Sequence, residues 1–289
     1  MVPFALPSPP LNDQSKETFT LLSLSLPYQF GNHQPLSVCM ASVKKLTAMS
    51  KFFFLVAVVL QWGGSHAQQP YINNKQLACE DQSDNVTQGY YCNGLNKSCL
   101  SYITFRSSTT YNSAVNIGYL LKAEATLIVS LNNFSSEFAT IPRDKLVIVP
   151  VNCSCAGYYY QHNASHTIAE SDTYFIISND TYQGLTTCQA MMAPNPYNYR
   201  NLPVGGDVLV PLRCACPTSH QSAASFKYLI SYMVTWGDNI SAIATKFGAD
   251  EKSVLEANEL NANNIIFPFT TFLVPLTAEP KIIESQQTS

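Results

Sequence analysis

The sequence predicts an α+β protein made of three small strand–helix–helix–strand modules, packed together and clamped by disulfides. Two observations carry this. The segment Leu146-Val147-Ile148-Val149-Pro150-Val151-Asn152-Cys153-Ser154-Cys155 returns as Val208-Leu209-Val210-Pro211-Leu212-Arg213-Cys214-Ala215-Cys216. It returns again, without cysteines, as Phe272-Leu273-Val274-Pro275-Leu276. The central prolines are 61 and then 64 residues apart, so each repeat is one small supersecondary unit. The second observation is an even set of eight cysteines after residue 67. Units of about 50 residues bury too little core on their own, and cross-links are their usual supplement.

Taken in chain order, the first recognisable element is an apolar run at residues 52–60, preceded by Lys51 and followed by Gly63-Gly64-Ser65-His66-Ala67. This is the pattern of a secretory signal peptide over residues 49–67, cleaved after Ala67. The run is far shorter than the roughly 20 apolar residues that a bilayer span needs. Residues 1–48 are rich in Pro, Ser and Leu. They read as an extension of the gene model or a disordered leader, with Met49 as the start. Two counts agree with that cut. Asn-x-Ser/Thr sequons begin at Asn85, Asn96, Asn133, Asn152, Asn163, Asn179 and Asn239, and none lies before residue 68. Cys39 stays behind in the leader, leaving Cys79, Cys92, Cys99, Cys153, Cys155, Cys188, Cys214 and Cys216. An oxidising, extracellular glycoprotein follows from both.

After a Cys-rich segment at residues 68–100, the first module occupies 101–155, with helices around residues 113–121 and 124–132. The second occupies 159–216: a strand near Thr167-Ile168, the turn Glu170-Ser171-Asp172, a helix from Thr173, a second helix over 186–192, and a strand from Asp207. The third, 226–277, is the most legible. A Tyr/Leu/Ile/Val-rich strand spans 227–235, Gly237-Asp238 turns it, and Ile240, Ile243, Ala244 and Phe247 fall at helical spacing. Gly248-Ala249-Asp250 interrupts, and Val254, Leu255 and Asn258 mark a second helix. Residues 278–289 read as the start of a linker toward a membrane.

Composition narrows the ligand. Charged residues make up 12% of the chain, about half the usual share. Lys+Arg 16 against Asp+Glu 19 gives −3, which lacks the basic footprint of a nucleic-acid binder. With 16 tyrosines, the chain suits a neutral, hydroxyl-rich ligand, and nothing in it calls for a cofactor or a metal.

Three such repeats separated by Cys-x-Cys pairs resemble the lysin-motif (LysM) ectodomain of plant receptor-like kinases. Gln68-Gln69-Pro70-Tyr71, Cys188-Gln189-Ala190-Met191-Met192 and Pro211-Leu212-Arg213-Cys214-Ala215-Cys216-Pro217 resemble the chitin co-receptor branch in particular. The resemblance covers residues 68–280. It implies recognition of chitin oligosaccharides in plant immune signalling, with another LysM receptor kinase as co-receptor. It also implies a transmembrane helix and a kinase domain beyond residue 289. On this reading the chain is an ectodomain fragment, a truncated gene model or a secreted form.

The cysteines of each Cys-x-Cys pair are expected on opposite faces of a strand, reaching different partners. Sequence alone leaves the pairing open, and a zinc site is the alternative to staples. The resemblance implies Cys92–Cys155, Cys99–Cys216 and Cys153–Cys214, with Cys79 and Cys188 left over.

In LysM modules the ligand groove lies between the first strand–helix loop and the loop before the second strand. In the second module these are Glu170-Ser171-Asp172-Thr173-Tyr174-Phe175-Ile176 and Asn198-Tyr199-Arg200-Asn201-Leu202-Pro203-Val204. The family's chitin contacts carry over onto Glu170, Ser171, Phe175, Tyr199 and Leu202. Phe175 and Tyr199 differ there from the smaller or charged residues of signalling-competent chitin receptors. Plainer roles compete for several of these residues. Asp172 suits a helix N-cap, as do Asn112 and Asp238 in the sister copies. One of Tyr174 and Phe175 suits the core. Trp236 suits packing more than sugar stacking, and His162, His166 and His220 read as isolated surface histidines.

Glu170 and Asp172 form the one carboxylate couple in a ligand-like loop. Two residues apart on one turn, they cannot flank a glycosidic bond from opposite sides, and no phosphate loop or kinase signature occurs. Binding, not catalysis, is the expectation. The ligand is a chitin oligomer or a lipo-chitooligosaccharide, unless the chain is a receptor partner that contacts no sugar.

Overall fold

A computed structural model describes residues 69–73, 79–80 and 85–282. The leader, the signal peptide and the last seven residues lie outside that set.

Each repeat folds as an antiparallel strand pair carrying two short helices. In the first module β2 (Ser98–Arg106) pairs with β3 (Leu146–Ala156), and α1 (Ala114–Leu121) and α2 (Ala125–Asn132) lie between them. In the second, β4 (Tyr159–Thr167) pairs with β5 (Asp207–Arg213) around α3 (Tyr174–Ile176) and α4 (Cys188–Met192). In the third, β6 (Tyr228–Met233) pairs with β7 (Thr271–Leu276) around α6 (Ile240–Phe247) and α7 (Glu251–Ala257). A helical turn, α5 (Ser219–Ala223), fills the link between the second and third modules.

The helices follow from their residues. In α6 the predicted stripe Ile240, Ile243, Ala244 and Phe247 is the buried face. Gly248 ends it at φ +62°, a left-handed conformation that glycine adopts without steric cost. By contrast α3 is only three residues long and passes into a π-turn over Ile177–Thr181. Two adjacent β-branched isoleucines followed by Ser, Asn, Asp and Thr give it little helix propensity.

The predicted N-caps are displaced by one residue. Ser113, Thr173 and Asn239, in extended conformation, cap α1, α3 and α6, in place of Asn112, Asp172 and Asp238. The aspartates instead face back across the turn. Asp172 Oδ2 accepts from the Ala169 amide at 2.8 Å, and Asp238 Oδ2 accepts from the Thr235 amide at 2.8 Å. A carboxylate that closes the preceding turn leaves the next residue free to cap.

One sheet runs through all three modules. Gly157 and Tyr158 connect β3 to β4, and residues 154–156 pair with 161–159. The first and third modules join by a short parallel pairing, Tyr102↔Ile230 and Ile103↔Ser231. Buried hydroxyls extend it: Ser101 Oγ donates to the Leu229 carbonyl at 3.0 Å, and the Met233 amide donates to Thr104 Oγ1 at 2.9 Å. β1 (Tyr90–Tyr91) closes the β4 edge.

Four disulfides join Cys79–Cys188, Cys92–Cys155, Cys99–Cys216 and Cys153–Cys214. Cys153 and Cys155 do not point to opposite faces. Two residues apart on β3, they share its inward side, and they reach different partners because they sit at different heights along the strand. Two bridges link the N-terminal segment to the second and first modules, and the other two link the first module to the end of the second. The third module itself is held by the sheet and by its core, where Tyr102 and Ile148 pack with Phe247 and Phe272. The N-terminal segment docks there too: the Tyr71 hydroxyl contacts Thr270 Oγ1 at 2.6 Å and accepts from the Phe267 amide at 2.7 Å.

Candidate functional site

The two loops of the second module are tied at their bases. Ile168, buried just after β4, donates its amide to the Gly206 carbonyl and accepts from the Gly205 amide, both at 2.8 Å. Gly205 has φ +81° and open space around it, so the second loop turns back sharply here.

Above that base the first loop makes a tight turn, with Ser171 at φ +71°. Thr173 caps α3 by accepting from the Ile176 amide at 3.2 Å. Of the aromatic pair, Tyr174 is fully buried and Phe175 is 41% exposed. The second loop is held by Asn198, whose carbonyl accepts from the Asn201 amide at 3.0 Å and whose Oδ1 accepts from the Arg200 amide at 2.9 Å.

The candidates therefore divide. Glu170, Ser171 and Phe175 on the first loop, and Asn198, Arg200, Asn201, Pro203 and Val204 on the second, reach solvent. Thr173 and Ile176 are half-buried, and Asp172 is turned inward. Leu202 is only 7% exposed and belongs to the main core, so it supports the loop more than it lines an open wall. Tyr199 and Arg200 are engaged by the N-terminal segment. Arg200 forms an ion pair with Glu80, which holds its guanidinium above the ordinary value, and the Tyr199 hydroxyl lies 3.4 Å from the same carboxylate. Glu80 adjoins Cys79, so the Cys79–Cys188 bridge fixes this contact against the second module.

Two expectations about neighbouring residues are corrected. Trp236 does not pack: it is 80% exposed at the place in the third module that Glu170 holds in the second. His166 is not isolated. Its Nε2 lies 2.8 Å from Asp172 Oδ2, with both side chains mostly buried. The repeat itself carried the signal, because Tyr232 and Asp238 make the same six-residue contact, hydroxyl to Oδ2 at 2.7 Å. His162 also spans modules, its Nε2 lying 3.0 Å from the Leu121 carbonyl, whereas His220 is exposed.

Chemically, the rim offers amides, hydroxyls and carbonyls beside apolar patches at Phe175 and Val204. Among the described residues no cluster of His, Cys, Asp and Glu could hold a metal, and no helix is long and apolar enough to cross a membrane.

Family models match all three modules. The NFP/LYK LysM1 model matches residues 98–156, the LYK3/4/5 LysM2 model (which includes CERK1) residues 159–213, and the LYK4/5 LysM3 model residues 228–276. Protein LYK5 of Arabidopsis thaliana is 47% identical over 86% of this chain and 38% of its own length. Chitin elicitor receptor kinase 1 of the same plant is 31% identical over 42% of this chain and 20% of its own length. The chain thus spans well under half of these relatives. The LYK3 ectodomain crystal structure shares the fold at a TM-score of 0.54 and 23% identity, covering 61% of this chain and 88% of that one. Another receptor-like kinase ectodomain gives 0.55 at 24%, over 62% and 93%. By its three LysM modules and their order, the chain belongs to the plant LysM receptor-like kinase family, through the ectodomain.

Proposed function

We propose that this ectodomain recognises chitin oligosaccharides at the outer face of the plasma membrane, through the two loops of its second module, as a receptor or co-receptor in plant innate immunity. The observation that carries it is the pair of loops tied at Ile168, whose exposed rim combines backbone groups with Phe175 and Val204. N-acetylglucosamine needs hydrogen-bond partners for its amide and an apolar contact for its methyl, and no charge. A relative named as a chitin elicitor receptor kinase supports the same ligand. The role is binding, not catalysis: Asp172 is taken up by His166 and the Ala169 amide and cannot act opposite Glu170.

Val204→Asp tests this. Val204 is 68% exposed, so the change leaves the core intact while placing a charge where the methyl would rest. Calorimetry with a chitin oligomer is expected to show about a tenfold to thirtyfold loss, the cost of desolvating that charge. Unchanged binding would remove the groove from the second module. A folded wild type that binds no chitin oligomer would favour a lipo-chitooligosaccharide or a partner role without sugar contact.

A further inference from the structure

Three of the cavities on the described surface bear on ligand access. One, of about 850 Å³, has Asn133 in its wall, and another, of about 420 Å³, has Asn96. Both are sequon asparagines with exposed side chains, so glycans on them would stand in the mouths of those cavities. The third, of about 840 Å³, lies between the helices of the first module and β4 of the second, and among the described residues no sequon asparagine lines it. Its size is that of an ordinary small-ligand site.

The chemistry of this cleft is particular. From the first module come Tyr111, Tyr119 and Lys122; from β4 come Ser165, His166 and Thr167. Tyr119 projects from α1 at 87% exposure, a large aromatic face that no neighbour covers. His166 directs Nε2 to Asp172, and its Nδ1 has no protein partner among the described residues, which leaves a ring nitrogen to hydrogen-bond a hydroxyl, a group that can both donate and accept. Glu124 and Glu137 sit on the same wall and are partly offset by Lys122. An exposed ring beside hydroxyls, an imidazole and carboxylates suits a sugar, whose C–H face stacks while its hydroxyls bond. The polar wall on β4 is wrong for an acyl chain.

The cleft also continues the proposed groove. Its wall Ser165-His166-Thr167 runs directly into Ile168, Ala169 and Glu170 of the first loop. Thr167 and Glu170 are three residues apart, so they lie within about 11 Å of each other. His166–Asp172 joins the two sites, with the histidine on the cleft wall and the aspartate in the loop.

We infer that the cleft between the first and second modules is a second saccharide subsite, which takes the extension of a chitin oligomer whose other end occupies the second module's loops. Its ligand rests on the chitin reading above. Its function is to make the ectodomain prefer long oligomers to short ones.

Tyr119→Ala is the test, because so exposed a side chain can be removed without disturbing the fold. Calorimetry on the secreted, glycosylated full chain compares a short chito-oligosaccharide, able to fill the loops alone, with a long one. The expected result is about a tenfold loss of affinity for the long oligomer and none for the short. Hydrogen exchange at residues 115–121 should slow in wild type with the long oligomer only. Wild-type affinity in Tyr119→Ala at both lengths overturns the cleft and leaves the groove reading standing. Equal losses at both lengths, or a wild type indifferent to length, also overturn it. A wild type that binds neither oligomer overturns both readings, and Val204→Asp separates the groove from the cleft.

Discussion

Asn258 sits at the end of α7, buried, and its side chain replaces part of a strand. Its Nδ2 donates to the carbonyls of Val254 and Leu273, and its Oδ1 accepts from the Leu273 amide, all at 2.7 Å. Asn132 and Asn195 do the same for Ile148 and Leu209 in the sister modules. One amide thus clips the second helix of each module to its second strand. Asn258→Ala leaves the buried Leu273 amide unpaired, and a loss of about 2–3 kcal/mol is expected, read as a lower urea midpoint. A loss no larger than that of an exposed substitution such as Lys252→Ala would mean that water replaces the clip. Leu202→Asp belongs to the same scale. Its side chain lies in the core, so circular dichroism should show a destabilised protein before any binding defect can be measured. The carried-over sugar contact at Leu202 was legible as apolar, but its burial was not, because burial depends on what the neighbouring elements bring.

At the scale of elements, legibility followed periodicity. The α6 stripe and its glycine stop could be read directly, because four apolar residues at helical spacing leave one arrangement. The strand–helix turns were read one residue off, since Asp is a good cap in isolation and only the fold shows it bonded back into the turn. Asp250 is the opposite case. It does cap α7, accepting from the Ser253 hydroxyl at 2.8 Å and the Ser253 amide at 2.9 Å, and these bonds hold its carboxyl below the ordinary carboxylate range. A depressed carboxylate pKa stabilises the fold above the unfolded pKa, and that contribution is lost as pH falls through the folded value. The protection factors of α7 amides, exchange corrected for its intrinsic slowing in acid, should therefore fall on acidification below the ordinary Asp range. Asp250→Asn, which caps without a charge, should flatten that response; an unchanged acid response would remove the cap from its cause.

Across the whole molecule, covalent and non-covalent ties are divided unevenly. The bridges enclose 109, 63, 117 and 61 residues of separation, and all begin and end before β6. A single bridge typically contributes about 2–4 kcal/mol by restricting the unfolded chain, and overlapping loops such as these contribute less together than their sum. The third module has no bridge of its own. Its attachment is the parallel pairing of β2 with β6, the buried Ser101 and Thr104 contacts, and a core shared with Tyr102, Leu146 and Ile148 of the first module. Because those side chains also form the first module's sheet, the third module cannot keep its core once β2 and β3 separate. Reduction should then unfold all three modules in one transition, although only two are cross-linked. Hydrogen exchange with mass spectrometry across a urea series, with and without reductant, reads this module by module. Protection of α6 and β7 that outlasts β2 and β3 under reducing conditions would show an independent third module, and the sheet would then be a contact between domains and not their common core.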